Sequence, residues 1–174
     1  MKILDATCGM KAMWYQKNHP FVTFMDNRIG KFEACNESTK LKDRRRRKIS
    51  PDVVSEWKDV PFPDNHFDIV IFDPPFKIES KNTKEAGVHI PYGRLYKETW
   101  KKDIKEGVKE LFRVLKPEGV FILKWCEICK PLSDVLQLFP YPPMFGTRTG
   151  QKNNTHWICF IKYDINIKLD KYET

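Results

Sequence analysis

The residues best suited to chemistry in this chain are Asp73, Pro74, Pro75 and Phe76, which directly follow an apolar run ending at Phe72. A proline fixes its own φ and has no N–H to donate, so the run is predicted to be a strand that stops at Asp73 in a stiff turn. Backbone carbonyls at the end of such a strand point outward, beside one carboxylate and one aromatic ring. The turn can therefore surround a donor group with acceptors.

An amine on a nucleobase is the kind of group that such acceptors would activate. It is a poor nucleophile, because its lone pair is delocalised into the ring. The Asp73 carboxylate and the Pro74 carbonyl are candidates to hold the NH2 group in its pyramidal, reactive form, and Phe76 is a candidate to stack on the base. Such stacking is worth about 1–3 kcal/mol per base. The alternative is a tight turn with a capping Asp and a core Phe; the strand before the motif favours the catalytic interpretation.

A second candidate site follows the first predicted strand, at residues 2–5. Its members are Asp5, Ala6, Thr7, Cys8 and Gly9. Small residues let the backbone approach a ligand closely, and a helix predicted over residues 10–18 would add free N–H groups at its start. A second predicted strand, residues 22–25, ends at Asp26. Asp26 either caps this strand or binds a ribose hydroxyl pair, and the glycine turn before it favours the ribose.

The rest of the chain alternates strands and helices. Helices are predicted over residues 29–37, 53–57, 97–115 and 131–138, the third having the clearest helical spacing of apolar residues. Further strands are predicted over residues 48–50, 67–72, 120–125, 144–149 and 156–163. This order predicts an α/β fold with a doubly wound, mostly parallel sheet and helices on both faces. Ligands bind such sheets where the strand order reverses, so both candidate sites are expected to flank one crevice.

Composition points to one domain with a polyanionic partner. The 174 residues with 41% apolar content predict a single globular domain over residues 1–174. The formal charge of +8 points to a polyanionic partner such as a nucleic acid, and the alternative is a protein that is basic without such a partner. Two basic segments, residues 40–48 and an insertion at residues 77–97 that contains two tyrosines, are either solvated loops or nucleic-acid contacts.

The sequence also bears on location and on the cysteines. No stretch approaches the roughly 18 apolar residues of a membrane helix, and Asp5 comes too early for a signal peptide. We therefore expect a cytoplasmic protein without membrane contact. Five cysteines without a disulfide-framework rhythm predict free thiols. Cys126 and Cys129 form a single C-x-x-C pair, so we expect no metal site.

These motifs, in this order, resemble those of class I S-adenosylmethionine-dependent methyltransferases. The closer resemblance is to the N6-adenine-specific methyltransferases of nucleic acids, whose catalytic motif is Asp-Pro-Pro-Phe or Asp-Pro-Pro-Tyr. It implies S-adenosyl-L-methionine as the cofactor, with residues 5–9 as its loop, Asp26 as the ribose acid, and Asp59 with Val60 at the adenine. It also implies that residues 73–76 are catalytic and that the last two strands close a seven-stranded sheet as an antiparallel hairpin.

The chain departs from the family pattern in two places that concern the cofactor. Lys11 stands where the family commonly has a second glycine, so its side chain either narrows the pocket or places an ammonium beside the cofactor carboxylate. The chain begins at the first predicted strand, without the upstream segment that holds the methionine end in many relatives. No separate target-recognition domain is evident, so we expect modest sequence specificity, a structured RNA target or a specificity-giving partner protein.

Three functions follow from this pattern. The first is methyl transfer to an exocyclic nucleobase amine in DNA or RNA, with adenine N6 as the leading acceptor; proximity of cofactor and base would supply most of the rate. The second keeps the fold and changes the acceptor to guanine N2 or a protein side-chain amide. The third is a nucleic-acid-binding module that has lost catalysis, which Lys11 and the absent upstream segment favour.

Overall fold

The computed structural model describes residues 1–32, 47–83, 92–147 and 154–163. Within these ranges the strands are β1 (Ile3–Asp5), β2 (Val22–Asp26), β3 (Gly30–Phe32), β4 (Arg47–Ile49), β5 (Val53–Val54), β6 (Phe67–Phe72), β7 (Ile78–Glu79), β8 (Leu95–Tyr96), β9 (Leu115–Cys126), β10 (Phe145–Gly146) and β11 (Thr155–Ile161). The described helices are α1 (Trp100–Val114) and α2 (Leu132–Leu136). None of the helices in these ranges has the length and apolar character needed to cross a membrane.

A seven-stranded sheet with the order β10-β11-β9-β6-β1-β2-β5 organises the chain. Its strands from β9 to β5 are parallel, which confirms the expected mostly parallel sheet. At the other edge β11 runs antiparallel to β9, and β10 pairs antiparallel with β11 through two residues. From β1 the chain builds outward through β2 and β5, then crosses back to β6 and β9 on the other side. The strand order therefore reverses between β1 and β6, where open α/β sheets bind ligands.

Helices α1 and α2 pack on one face of the sheet. Helix α1 buries a stripe of residues three or four positions apart, among them Ile104, Val108 and Phe112. Phe112 stacks on Phe121 of β9 with ring centroids 4.7 Å apart. The helix predicted over residues 97–115 is thus confirmed within slightly narrower bounds.

The opposite face of the sheet has a smaller core. Ile3, Val22 and Phe24 are buried there together with Cys8, and Trp14, Ile69 and Ile71 pack against them. This cluster contains no residue of α1 or α2, so for the described part of the chain the expectation of helices on both faces is wrong. Among the described residues, turns and Trp14 cover this face.

The helix predicted over residues 10–18 is replaced by turns. Lys11 has a φ of 55°, which lies outside the helical region and interrupts the segment at its start. The Trp14 indole packs edge-on against Phe24 at a centroid distance of 5.2 Å. Packing of this partly buried ring against the sheet therefore decides the local backbone, where local propensity favours a helix.

The helix predicted over residues 53–57 is also wrong, because Val53–Val54 form β5 and pair with the end of β2. Two β-branched residues fit a strand, and the pairing satisfies backbone groups on the open edge of β2. The strand predicted at residues 48–50 overlaps β4, which pairs with β3 in a separate two-stranded sheet. Strand β3 also replaces the start of the helix predicted over residues 29–37, whose remainder lies outside the described residues.

Several sequence predictions fall wholly or partly outside the described residues. The basic run at residues 40–48 is described only at its end, and the insertion at residues 77–97 only at its two flanks, where β7 pairs with β8. Their role as nucleic-acid contacts stays a prediction, as does the single domain without a target-recognition domain. The prediction of free thiols is confirmed for Cys8, Cys126, Cys129 and Cys159.

Helix α1 packs tightly against Trp57 at Gly107. A Cβ on Gly107 would overlap Cε3 of Trp57, whose ring also packs 5.0 Å from Phe72. Gly107→Ala is expected to lower the free energy of unfolding by about 1–3 kcal/mol, because overpacking outweighs the gain in helix propensity of about 1 kcal/mol. Urea denaturation measures it. Lys105→Ala, at an exposed position of the same helix, serves as the control; a more stable Gly107→Ala variant would contradict the overpacking argument.

Candidate functional site

A cleft of about 790 Å³ opens at the carboxyl ends of β1, β2 and β6. This volume lies in the usual range for sites that bind small molecules, about 300–1,000 Å³. Its lining includes residues of both sequence-predicted sites, namely Ala6, Thr7, Cys8, Gly9, Asp26, Asp73, Pro74, Pro75 and Phe76. The topology therefore brings two motifs that are far apart in sequence into a single space.

The loop after β1 is held in place from both sides. Ala6 N–H donates to the carbonyl of Ile71 on β6 at 2.9 Å, and Cys8 N–H donates to the carbonyl of Met25 on β2 at 2.9 Å. Gly9 has a φ of 50°, a conformation that favours glycine, and among the described residues no atom outside its immediate neighbours lies within 4 Å of the position of a Cβ. The loop is thus a strip of backbone fixed along the cleft.

Asp73 joins this loop to the tetrapeptide. Its backbone N–H donates to Thr7 Oγ1 at 2.8 Å. Its carboxylate accepts a hydrogen bond from the Lys124 ammonium, with Nζ 2.5 Å from Oδ2. Burial raises the pKa of Asp73, and the charge of Lys124 offsets part of this effect. Lys124 therefore favours the ionised carboxylate, the form that can only accept hydrogen bonds.

Sequence reasoning missed Lys124, although one signal was present. It is the only charged residue in the apolar stretch 120–125. Because Phe72 and Leu123 are partners in the parallel pair β6–β9, the next residue on each strand is Asp73 and Lys124. On its other side Lys124 pairs with Trp157 of β11, whose ring centroid lies 5.8 Å from the ammonium.

Asp26 is buried at the end of β2, with 2% of its surface exposed. Gly9 N–H donates to its Oδ2 at 2.9 Å. The guanidinium of Arg28 forms a bidentate pair with it, Nε to Oδ1 at 2.9 Å and Nη2 to Oδ2 at 3.1 Å. Arg28 N–H adds a fourth hydrogen bond, at 3.0 Å to Oδ1. The acid predicted to bind ribose is thus engaged within the chain.

Four of the sequence-predicted cofactor residues do not line the cleft, namely Asp5, Lys11, Asp59 and Val60. Asp5 is fully buried and accepts a hydrogen bond from Trp14 Nε1 at 2.6 Å. The Lys11 ammonium lies 3.8 Å from the Phe24 ring centroid and 3.9 Å from Asp52 Oδ1. The two roles predicted for Lys11 at the cofactor stay predictions. The Lys11 side chain lies against the sheet because the Phe24 ring and the Asp52 carboxylate attract its ammonium.

The neighbours of Asp59 and Val60 line the cleft in their place. Glu56, Trp57 and Lys58 form this part of the lining. Val60 is buried, and its N–H donates to Glu110 Oε1 at 3.0 Å, which ties it to α1. Asp59 and Val60 therefore lie beside the cleft wall formed by residues 56–58, and their role at an adenine stays a prediction.

The flanks of the basic insertion form a further part of the wall. Lys81, Tyr92, Gly93, Arg94 and Tyr96 line the cleft there. The Tyr96 ring has two cations near it, Lys81 Nζ at 5.9 Å and Arg94 Cζ at 5.4 Å from its centroid. This part of the wall thus combines aromatic rings with positive charge.

The thiol in the loop carries a prediction about reactivity. Burial raises the pKa of Cys8 to about 12 from an ordinary value of 9.0, and the carboxylates of Asp5 and Asp26 add to this effect. Because the thiolate is the reactive form, Cys8 should be alkylated about a thousandfold more slowly than an ordinary thiol. Iodoacetamide labelling of the folded chain, with mass-spectrometric mapping, should modify Cys126 and Cys129 before Cys8. Rapid labelling of Cys8 would show that the loop opens.

No protein-family profile matches the chain, and no curated protein matches it. Solved structures do. A Pyrococcus horikoshii OT3 protein superposes with a TM-score of 0.57 at 15% identity, covering 94% of this chain and 82% of that one. A SAM-dependent methyltransferase from Methanosarcina mazei gives a TM-score of 0.50 at 16% identity, covering 93% of this chain and 92% of that one.

A third similar structure contains ligands. The 1,6-didemethyltoxoflavin-N1-methyltransferase of Burkholderia thailandensis, solved with 1,6-didemethyltoxoflavin and S-adenosylhomocysteine, has a TM-score of 0.52 at 14% identity. The superposition covers 94% of this chain and 71% of that one. At these identities the comparisons concern the fold: the chain has the fold of the class I SAM-dependent methyltransferases.

Proposed function

We propose that the chain is an S-adenosyl-L-methionine-dependent methyltransferase that acts on an exocyclic amine of a nucleobase in DNA or RNA, with adenine N6 as the acceptor. The observation that carries this proposal is the hydrogen bond from Asp73 N–H to Thr7 Oγ1. It joins the tetrapeptide to the loop after β1 at the place where the strand order reverses. A cofactor on the loop and an amine on the tetrapeptide would share one cleft.

The cofactor side of the cleft fits a nucleoside. The backbone of residues 6–9 lines the cleft and offers a close approach, and Asp26 lies at the end of β2, where ribose acids act in such folds. Trp57 provides an aromatic surface for the adenine. The bound cofactor supplies a methyl group already activated by a sulfonium, so the chain has only to bind and to align.

The acceptor side fits a base amine. Asp73 supplies an ionised carboxylate held by Lys124, and the Pro74 carbonyl follows directly after it. Phe76 lines the same cleft and offers a stacking surface for the base. These groups orient the N–H bonds of the amine, so that its lone pair points to the methyl group.

The positive charge of the whole chain, formally +8, supports a nucleic acid as the substrate. Five cations line the cleft, Arg28, Lys58, Lys81, Arg94 and Lys124, beside four carboxylates, Asp26, Glu56, Asp73 and Asp103. Phosphate contacts made by such cations supply most of the sequence-independent affinity for nucleic acids.

The test is transfer of a labelled methyl group from S-adenosylmethionine to pooled unmethylated DNA and to total RNA, followed by nucleoside analysis. Label in N6-methyladenosine, as deoxyribonucleoside or ribonucleoside, is expected and also identifies the polymer. Label in N2-methylguanosine, or in a protein pool assayed in parallel, would move the acceptor to one of the alternatives. The absence of label from all pools would contradict the proposed activity.

One observation favours a second candidate, a nucleic-acid-binding module without methyl transfer. Both carboxylates at the strand ends, Asp26 and Asp73, are ion-paired within the chain. Calorimetric titration with S-adenosylhomocysteine separates the candidates, because a module without the cofactor site would show no heat of binding.

Lys124 carries a prediction about the pH dependence of turnover. Lys124→Met removes the charge that favours the ionised Asp73, in a site where burial already raises the pKa of that carboxyl. Transfer at pH 7 is expected to fall by at least about tenfold, since a charge-assisted hydrogen bond is worth about 1.5–3 kcal/mol. The acid limb of the pH–rate profile should move to higher pH, and Lys124→Arg should restore it. An unmoved limb would contradict the assigned pairing.

A further inference from the structure

A row of three side chains crosses the sheet beside the candidate site. Asp73 and Lys124 stand level, because each directly follows a register partner of the pair β6–β9. Lys124 in turn is the register partner of Trp157 on β11. Residues opposite each other on paired strands point to the same face of a sheet, and the contacts agree: the Lys124 ammonium lies 2.5 Å from Asp73 Oδ2 and 5.8 Å from the Trp157 ring centroid. The row therefore leads from the proposed catalytic carboxylate to the Trp157 ring.

The cleft extends along this row. Besides Lys124, its lining includes Cys126 of β9 and Thr155 of β11, which are register partners. Trp157 follows Thr155 on the same face of β11, because the side chains of a strand alternate between its two faces. Neighbouring strands lie about 4.8 Å apart, so Trp157 lies roughly 10 Å across the sheet from Asp73. Stacked bases are only about 3.4 Å apart, so this distance fits two neighbouring bases that are unstacked, as when one of them is taken out of its helix.

Trp157 is exposed, whereas three of the five tryptophans of the chain are buried. Of its surface 41% is exposed, against 8% or less for Trp57, Trp100 and Trp125. An exposed ring of this size gives up hydrophobic burial that the other three gain. It offers instead a stacking surface, and such a surface accepts any base because every base has a π-face.

Charge and position favour a nucleotide over a partner protein on this ring. The chain carries a formal charge of +8, which attracts a polyanion. The row also begins at the Asp73–Lys124 pair, where the proposed acceptor base is held. A base next to the acceptor base has to lie close to this pair, because the two nucleotides are covalently linked.

We propose that Trp157 stacks on the base that adjoins the acceptor nucleotide. The inference rests on the proposed function, in which Phe76 stacks on the acceptor base, and adds to it a second contact with the same strand. The contact holds the backbone of the strand beside Asp73. It also gives the reaction a preference for a purine next to the acceptor, because modest sequence preferences of this kind follow stacking strength.

Fluorescence anisotropy with short single-stranded thymine oligonucleotides tests the contact. Each carries a single adenine, with either inosine or an abasic site on its 5′ or its 3′ side; inosine is a purine without an exocyclic amine, so it does not compete as an acceptor. With S-adenosylhomocysteine present, the wild type should bind the inosine oligonucleotide at least about fivefold more tightly than the abasic one on one of the two sides. Trp157→Ala should lose this difference, and Trp157→Phe should keep most of it.

Two further variants serve as controls. Phe21→Ala removes an exposed aromatic ring just before β2, at the end of the sheet opposite the cleft, and should keep the difference between the inosine and the abasic oligonucleotide. Trp157→Thr replaces Trp157→Ala if the alanine variant fails to fold, because threonine favours a strand.

Kinetics of methyl transfer to the same oligonucleotides separates stacking from an effect on Lys124. Trp157→Ala should raise the KM of the inosine oligonucleotide at least about fivefold and leave kcat within about twofold of the wild type, as expected for the loss of binding alone. The acid limb of the pH–rate profile should not move. A fall in kcat with a moved limb would show that Trp157 positions Lys124 and would overturn the inference.

The remaining outcomes are equally decisive. A preference for inosine that persists in Trp157→Ala would overturn the inference. Binding and transfer by Trp157→Ala equal to those of the wild type would also overturn it and would leave the ring to another contact, such as a partner protein. Absence of methyl transfer by the wild type to every oligonucleotide would instead refute the proposed function, and with it the basis of the inference.

Discussion

Asp73→Ala is expected to abolish methyl transfer and to leave cofactor binding intact. The variant removes the one carboxylate at the end of β6 and leaves the Lys124 ammonium facing the acceptor. Loss of a preorganised hydrogen-bond partner of the reacting group costs about 10²–10³ in turnover. The backbone bond from residue 73 to Thr7 is retained, because it does not involve the side chain. Label transfer measures the loss, and calorimetry with S-adenosylhomocysteine measures binding.

The controls for Asp73 separate charge from geometry. Asp73→Asn keeps one acceptor oxygen but no charge, so it should fall between the wild type and Asp73→Ala. Glu98→Ala removes an exposed carboxylate elsewhere and should not change turnover. In a double-mutant cycle, Lys124→Met should lower turnover little further in the Asp73→Ala background, because the two side chains act as a pair. Turnover of Asp73→Ala within about threefold of the wild type would refute the role of Asp73 in catalysis.

The wild-type chain is expected to lose stability as pH rises from about 4 to 7, because of Asp5. Burial raises the pKa of Asp5 from 3.8 to about 7 in the folded chain, against a hydrogen bond from Trp14 that lowers it. In this window the unfolded chain releases its proton while the folded chain retains it. The contribution of Asp5 to stability is therefore complete below pH 4 and is lost as pH rises through the folded pKa. The shift of the Asp5 pKa between the unfolded and the folded chain corresponds to about 4 kcal/mol in the free energy of unfolding.

Asp5→Asn tests this assignment by urea denaturation between pH 4.5 and 8. The amide oxygen can still accept the Trp14 hydrogen bond, so the free energy of unfolding of the variant should depend much less on pH. Burial also raises the pKa of Asp73, so a smaller pH dependence of the same sign should remain. Asp68→Asn is the control. Its hydrogen bond with Lys116 lowers the pKa of Asp68, so its contribution is lost only at lower pH. A slope equal in the wild type and Asp5→Asn would refute the role of Asp5.

Features that depend on residues adjacent in the chain were predictable from the sequence. The end of β6 at Phe72 follows from two prolines that cannot extend a ladder. The stripe of α1 follows from the spacing of apolar residues such as Ile104 and Val108. The alternation of elements indicated a mostly parallel sheet, and from it the meeting of residues 6–9 with residues 73–76 at one edge.

Other features depend on residues that the chain brings together only when it folds. Lys124 faces Asp73 because β6 and β9 pair in one register, which no local pattern of either strand specifies. Trp14 turns residues 10–18 away from a helix because its ring packs against Phe24. Val53–Val54 become a strand because β2 has an open edge to pair.

The same division runs through the site. The types and spacing of residues identified Asp26 and Asp73 as the acids at two strand ends, because a short motif consists of residues that are adjacent in the chain. The partners of those acids, Arg28 and Lys124, and the cover of Asp5 by Trp14 were decided by tertiary structure. Burial, ion pairing and the pKa of a carboxyl are properties of its surroundings in space, and these exist only after strands distant in sequence have paired.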